Sequence, residues 1–307
     1  MEQQKNSKKA LKIALILLLT IGIVVSLLPF GAAASWRQIF SFFGLSDFSA
    51  AAGSSPLSVH VLEVGKADSI FIECSGKYML VDGGTMDCGE QIAEYLDRHG
   101  VKKLDYVVNT HPDKDHIGGL GYLIAHYEIG RYFAPNIPKE LIPLDKEYIG
   151  TQEALKKKNI PTVVPNCGDS FDLGALKIKV LAPVKQGNST NNNSIILRLT
   201  YGKTNFLLMG DAEKEEESDL LASGWNLSAD VLKVGHHGSS TSTTDAFISA
   251  VKPRYAAISV ADDSNDLPKK EVLKRLKSVG TAIFRTDVSG TLIFMSDGKT
   301  VSVVTAR

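Results

Sequence analysis

The 307-residue chain predicts an α/β domain with two sheets in the centre and helices outside. Two observations carry this. Strand-like apolar runs come in two groups, each followed by segments of helical periodicity. Five of those runs break at their ends into loops bearing aspartate, asparagine or histidine, so chemistry gathers at strand ends. A third observation separates this domain from the N-terminus, where lysines precede an uncharged apolar stretch.

The elements follow in order. Val59 to Val64, Ser69 to Glu73 and Tyr78 to Val81 read as strands, with turns at Gly65 and Ser75-Gly76-Lys77. The third runs into Asp82-Gly83-Gly84. Gly89 to Arg98 reads as a helix with Ile92, Tyr95 and Leu96 on one face. Leu104 to Asn109 is a strand, and Leu120 to Tyr127 a helix. Arg131 to Pro165 is irregular and proline-rich, with a helix expected at Tyr148 to Lys157. Phe171 to Leu181 alternates as a hairpin, and Ile195 to Thr200 pairs with Asn205 to Met209 around Tyr201-Gly202-Lys203. Glu213 to Ala222 is helical and acidic at its start, which suits the helix dipole. Val231 to Val234 and Tyr255 to Val260 are strands, Asp245 to Val251 is a helix, and Pro268 to Val279 is a helix opened by proline. Three short strands close the chain.

Between the Leu104 strand and the following helix lies Thr110-His111-Pro112-Asp113-Lys114-Asp115-His116-Ile117-Gly118-Gly119. Four metal-ligand types, His111, Asp113, Asp115 and His116, fall within six residues. In an extended strand Asp115 and His116 would face opposite sides. Acting together they need a tight loop, which the glycines permit. A polar surface turn would explain one His-Pro-Asp; it does not explain two histidines and two aspartates between buried-type elements. Imidazole favours zinc-like ions, and carboxylates admit harder ions such as manganese.

The other loops are Asp82-Gly83-Gly84, Asn191 to Asn193, Gly210-Asp211-Ala212 and His236-His237-Gly238-Ser239. Each has an ordinary explanation alone. Asp82 could cap a turn, Asp211 could be the N-cap of the helix from Glu213, and His236-His237 could simply be exposed. Their joint occurrence at strand ends is what those explanations leave over.

At the N-terminus, Lys5, Lys8, Lys9 and Lys12 precede an uncharged run from Ile13 to Ser35, long enough to span a bilayer with the lysines inside. Ala32-Ala33-Ala34 resembles a signal-peptidase site. A cleaved signal peptide and a retained membrane anchor both fit, and the length of the run favours the anchor. The expected organisation is therefore residues 1–34 as export segment, 35–56 as linker and 57–307 as the domain that carries these loops, outside the cytoplasm. Without residues 1–34 the chain keeps 30 basic and 33 acidic residues, so nothing suggests a strongly basic nucleic-acid binder. Three cysteines, Cys74, Cys88 and Cys167, allow at most one bridge and contain no Cys-x-x-Cys.

The His111 stretch resembles the metal-binding signature of the metallo-β-lactamase superfamily, usually HxHxDH, with Asp113 where the second histidine would stand. Asn193-Ser194-Ile195-Ile196-Leu197-Arg198-Leu199, Leu208-Met209-Gly210-Asp211-Ala212-Glu213, Asp230 to Ser239 and Thr286 to Leu292 narrow the resemblance to the hydrolase domain of ComEC-type competence proteins and their free-standing relatives. The resemblance implies an αββα sandwich and two divalent metal ions, zinc or manganese. His111 and Asp113 would hold one ion, Asp115 and His116 the other. Asp211 would bridge them, His237 or its neighbour His236 would add a ligand, and Asp82 would orient the His111 loop from behind. Asp115, Asp211 and Lys233 are the expected catalytic residues, with Lys233 or Ser239 meeting a substrate oxyanion. The implied chemistry is hydrolysis by a hydroxide shared between two metals about 4 Å apart.

Two departures bear on this. The superfamily's third histidine is absent, and Asn191 or Asn193 stands in its region; Leu267 stands where competence relatives commonly carry a histidine. The expected substrate is a phosphodiester, in a nucleic acid such as DNA or in a small molecule. A carboxylic-ester or lactam hydrolase is the alternative enzyme, and a surface-binding module that keeps the fold without catalysis is the alternative class. No protein partner is inferable; the membrane enters only through the N-terminal segment.

Overall fold

The computed structural model describes residues 56–262 and 266–307. The chain divides into units at residues 1–53 and 54–307, and the second carries all described residues. The expected export segment, and all of the expected linker except Pro56, lie outside them. Among the described residues no helix is long and apolar enough to cross a membrane.

In chain order the domain runs β1 (Leu57–Val61), β2 (Ile70–Cys74), β3 (Lys77–Val81), α1 (Gly89–Arg98), β4 (Lys103–Val108), α2 (Lys114–Ile117), α3 (Leu120–His126), β5 (Glu128–Phe133), α4 (Lys146–Lys157) and β6 (Thr162–Val163). It continues with β7 (Ser170–Leu173), β8 (Leu176–Ala182), β9 (Ile196–Tyr201), β10 (Thr204–Leu208), α5 (Lys214–Ala222), β11 (Val231–Lys233), α6 (Asp245–Val251) and β12 (Tyr255–Ile258). It ends with α7 (Lys270–Ser278), β13 (Ala282–Arg285), α8 (Thr286–Ser289), β14 (Leu292–Ser296) and β15 (Val301–Thr305).

Two sheets result, one of eight strands ordered β15-β14-β1-β2-β3-β4-β5-β6 and one of seven ordered β13-β12-β11-β10-β9-β8-β7. Strand alternation explains how they stack. Leu57, Val59 and Val61 of β1, Ile70 and Ile72 of β2, and Phe206 and Leu208 of β10 meet in one core between the sheets. The residues between them face outward. Phe71 and Leu80 join Ile92, Leu96, Leu120 and Leu123 under the helices of the first sheet. Leu207 and Leu232 join Leu220, Phe247 and Leu276 under the helices of the second. With both faces of each sheet covered, helices lie outside two central sheets, as the sequence predicts.

The division into halves needs one correction. The last two strands do not extend the second sheet; β14 pairs antiparallel with β1, Val59 opposite Phe294, and closes the first sheet with the end of the chain. The strand β5, whose second half falls in the stretch that reads as irregular, pairs parallel with β4. Cys74, Cys88 and Cys167 are all free thiols, so no bridge forms among them.

What positions the site is the parallel part of each sheet. β3 and β4 run parallel, as do β10, β11 and β12. Their carboxyl ends open on one edge, where ligands gather in parallel sheets. There the first sheet is tied to the second through the backbone, Ile195 N donating to Thr110 O at 2.9 Å.

Candidate metal centre

The loop after β3 places Asp82 at φ 60°, a left-handed conformation that aspartate tolerates better than most residues. Its carboxylate turns back under the His111 loop. Oδ1 accepts from Thr110 N at 2.7 Å and Asn109 Nδ2 at 3.2 Å, and Oδ2 accepts from Thr110 Oγ1 at 2.6 Å. Oδ2 also lies 2.9 Å from His116 Nδ1.

After β4 the chain makes one turn of helix, α2, rather than an open loop. This turn is how neighbours Asp115 and His116 reach one site: Asp115 lies toward solvent and His116 is buried. Gly83 N donates to His116 O at 2.7 Å, and Asp68 N to Asp115 O at 3.0 Å, so backbone straps hold the turn from two sides.

From the second sheet, Asp211 follows β10 through Gly210, whose φ of +53° suits glycine. Asp211 does not cap a helix, because the N-cap position of α5 is Glu213. It is buried, and its backbone N–H donates to Ser194 Oγ at 3.2 Å. Its carboxylate spreads across the centre, Oδ1 at 3.3 Å from His116 Nε2 and Oδ2 at 3.5 Å from His237 Nε2.

His236 and His237 both have left-handed backbones, φ 48° and 52°. Such strain in two consecutive non-glycine residues gathers at functional sites. The turn separates the two rings. His237 is fully buried, lies 3.6 Å from Asp115 Oδ2 through Nε2, and has Nδ1 2.9 Å from Ser259 O. His236 stays 24% exposed, with Nδ1 3.0 Å from Thr241 Oγ1 and 3.2 Å from Glu213 Oε1, and Nε2 3.9 Å from Asp211 Oδ2. The structure therefore brings His237 into the centre and leaves His236 at its rim.

Three imidazoles thus share one arrangement. His111 Nδ1 lies 3.1 Å from Thr110 Oγ1, His116 Nδ1 meets Asp82, and His237 Nδ1 meets Ser259 O. Their Nε2 atoms, with Asp211 Oδ1, are buried without a hydrogen-bond partner. Buried polar atoms are rarely left so. Donor atoms of His111, His116 and Asp211, and of Asp115, His116 and His237, lie within 4.8 Å of one another in each group. Fixing Nδ1 so that Nε2 faces inward is how ligating histidines are held. These residues fit divalent cations. Asp113, 37% exposed, lies at the open side with Oδ2 3.7 Å from His111 Nε2.

The buried charges of the cluster act strongly on one another. Burial would raise the carboxyls of Asp211 and Asp115, but His116 and His237 beside them hold both well below the usual range. Burial, then the neighbouring His116, lowers His111. Burial would also lower His116, yet Asp211 and Asp82 raise it well above an ordinary imidazole.

Lys233 requires a correction. It is 1% exposed, with Nζ 2.8 Å from Asp68 Oδ2 and 3.0 Å from Val234 O, so it is locked inside and does not face a substrate. Asp68 is a residue that sequence reasoning missed. Burial would raise its carboxyl, but Lys233 and then His237 lower it. Asp68, Asp82 and His116 also lie within metal-ligand range of one another, but Lys233 already pairs with Asp68, and His116 Nδ1 with Asp82.

Asn192 and Asn193 have structural work, while Asn191 Oδ1 is buried without a hydrogen-bond partner. Asn193 Oδ1 accepts from Gly187 N at 3.0 Å, and its Nδ2 donates to Ser189 O at 2.6 Å. Asn192 Oδ1 accepts from Glu213 N at 3.1 Å. Ser194, one residue on, is what touches the centre, 3.5 Å from His111 Nδ1. Leu267 packs against the apolar core under the second sheet's helices.

Comparison with known proteins gives a family, two relatives and a solved structure of like fold. The family model described as the metallo-beta-lactamase superfamily matches residues 62–261. ComE operon protein 3 of Bacillus subtilis is 31% identical over 261 residues, covering 78% of this chain and 33% of that protein. Recombination protein 2 of Haemophilus influenzae is 31% identical over 239 residues, covering 76% of this chain and 28% of that protein. The chain thus spans about a third of the length of these relatives. Among solved structures, the metallo-beta-lactamase fold protein YhfI from Bacillus subtilis superposes with a TM-score of 0.52 at 13% identity, covering 79% of this chain and 100% of that one; the likeness is one of fold.

Proposed function

Because the chain belongs to the metallo-β-lactamase superfamily, we propose that it is a metal-dependent hydrolase of phosphodiester bonds that works outside the cytoplasm. The observation that carries this is the convergence of three Nδ1-tethered imidazoles on Asp211, with buried donor atoms that no protein group satisfies. Divalent ions bound there would make water a nucleophile near neutral pH and offset charge developing on the substrate.

The chain's own residues divide the work. His111, Asp113 and one oxygen of Asp211 would hold one ion; Asp115, His116, His237 and the other oxygen would hold the second. One imidazole nitrogen serves one ion; His116 is present in both donor groups and is assigned here to the second. Asp82, Thr110 and Ser259 O keep the three rings turned inward. Zinc and manganese both suit this mixed nitrogen and oxygen set. The sequence resemblance to competence proteins and a relative named Recombination protein 2 favour nucleic acid as the substrate class. The balance of 30 basic to 33 acidic residues beyond residue 34 favours a short or small phosphodiester over long duplex held nonspecifically.

Export rests on the lysines and apolar run of residues 1–34, and a reporter fused after Ser55 should be active outside the cytoplasm; activity confined to the cytoplasm would contradict it. The hydrolase is tested by metal content and by turnover of phosphodiester, lactam and ester substrates with added zinc or manganese. About two ions per chain and preference for the phosphodiester are expected. Absence of metal would leave a binding module, and preference for a lactam or ester would move the chain to the alternative enzyme class.

A further inference from the structure

We propose that Lys66 is the anion-recognition residue of this centre: its ammonium faces the mouth of the cluster and takes a non-bridging oxygen of a phosphate-bearing substrate. This rests on the hydrolase reading above and deepens it, because a cation at that point selects an anionic substrate over a neutral ester.

The geometry points to Lys66 rather than to another cation. Lys66 Nζ lies 3.0 Å from Asp115 Oδ2, and its side chain is 37% exposed, so it meets both the donor cluster and solvent. Lys233 is buried against Asp68, and Lys114, although in the His111 loop, points away to Asp145 at 4.0 Å.

The position is built rather than incidental. Lys66 sits in the loop from Leu62 to Ser69, which is closed on itself by Leu62 N donating to Ser69 O at 3.0 Å. The same loop is strapped to the centre on both sides of Asp68. Asp68 N donates to Asp115 O at 3.0 Å, and Gly84 N donates to Asp68 O at 2.8 Å. Ala67 beside Lys66 is buried, which anchors the backbone there while the partly exposed ammonium rests on Asp115. A surface lysine on a loose loop gains little from one carboxylate; here the backbone presents the cation at no further cost in ordering the loop.

Charge balance supplies the rest. An ion held by Asp115 would draw that carboxylate's charge inward. The ammonium 3.0 Å away then keeps a positive face toward solvent, beside the point where a substrate oxygen must arrive. Lysine is a point-charge phosphate ligand, so its position matters more than its shape.

The test compares Lys66→Met, Lys66→Arg and wild type as full chains loaded with manganese or zinc. Three quantities are read: ions per chain, affinity for inorganic phosphate by calorimetry, and KM against kcat for bis(p-nitrophenyl) phosphate and p-nitrophenyl acetate. Lys66→Met should keep its metal and weaken phosphate binding about tenfold to a hundredfold, the range for one hydrogen bond to a charged group. KM for the diester should rise with it, by more than any change in KM for the neutral ester. Lys66→Arg should recover most of the phosphate affinity. Loss of metal in Lys66→Met would overturn the proposal, since Lys66 would then serve only to hold Asp115. Unchanged phosphate affinity and KM with full metal would overturn it equally, with the hydrolase reading intact. A wild type that binds phosphate through Lys66 but cleaves no diester would sustain the anion site and sink the proposed reaction.

Discussion

Asparagine at position 211 keeps the side chain's size and removes one negative charge from between three imidazoles. Asp211→Asn should lose most bound metal and turnover, while the metal-free protein melts within a few degrees of wild type. Metal analysis beside a melting curve checks this, and unchanged metal content would remove Asp211 from the centre. Helix capping no longer offers another explanation, because Glu213 occupies the N-cap position. Lys233→Met should behave oppositely. It leaves Asp68 charged and buried without its partner, and should cost about 3–5 kcal/mol in urea unfolding of the metal-free chain. A loss below about 1 kcal/mol would show that the pair contributes little. The six residues from His111 to His116 were legible because ligand types crowd there. Asp68 and Lys66 were not, because in Gly65-Lys66-Ala67-Asp68-Ser69 each looks like an ordinary turn residue between two strands. Only the fold shows that this turn lies on Asp115. Lys233 misled for the converse reason: a lysine at the end of a short strand reads as reaching solvent, and nothing local reveals a buried partner more than 160 positions earlier.

Between elements, close backbone approach does what side chains cannot. The Asp82 loop and the start of α3 touch through glycine: a Cβ at Gly119 would strike the Gly83 carbonyl and come within 3.1 Å of Gly89 Cα, and one at Gly83 would lie 2.8 Å from Leu120 N. Gly119→Ala should therefore destabilise the fold by about 1–3 kcal/mol and weaken metal binding as well, because relief requires moving the loop that orients His116. Chelator competition with a chromophoric indicator reads the second effect; normal metal affinity in a destabilised variant would uncouple the contact from the site. Elements with strong periodicity were readable, and α1 spans the residues its apolar face marks. The strand β5 was not. Its sequence, Glu-Ile-Gly-Arg-Tyr-Phe, carries two charges and a glycine, and only Tyr132 and Phe133 are buried. The turn α2 is too short for periodicity to register, and the pairing of β14 with β1 joins residues more than 230 positions apart.

For the whole molecule, two buried groups shape stability against pH in opposite senses. Burial, then nearby Asp219, pushes Glu216 from 4.5 up to about 7. The fold therefore favours the protonated acid, a contribution complete below pH 4.5 and lost as pH rises through about 7. Burial, then His99, lowers His60 from 6.5 to about 3, so the fold favours the neutral ring; that contribution is complete above 6.5 and lost as pH falls toward 3. Glu216→Gln should flatten the decline in melting temperature between about pH 5 and 8, leaving the acid limb in place; a decline as steep as wild type would exclude Glu216 as its source. The two-sheet edge has a consequence in time as well as in space. A chain that has folded only its first sheet has His111, Asp113, Asp115 and His116 in place but not Asp211 and His237, which β10 and β11 of the second sheet position. An ion therefore finds its full set of ligands only after the second sheet docks, and its capture certifies a finished fold. Metal should then act as a latch, slowing unfolding and adding about 2.7 kcal/mol at a hundredfold excess over its dissociation constant, while the rate of reaching the folded state stays that of the metal-free chain.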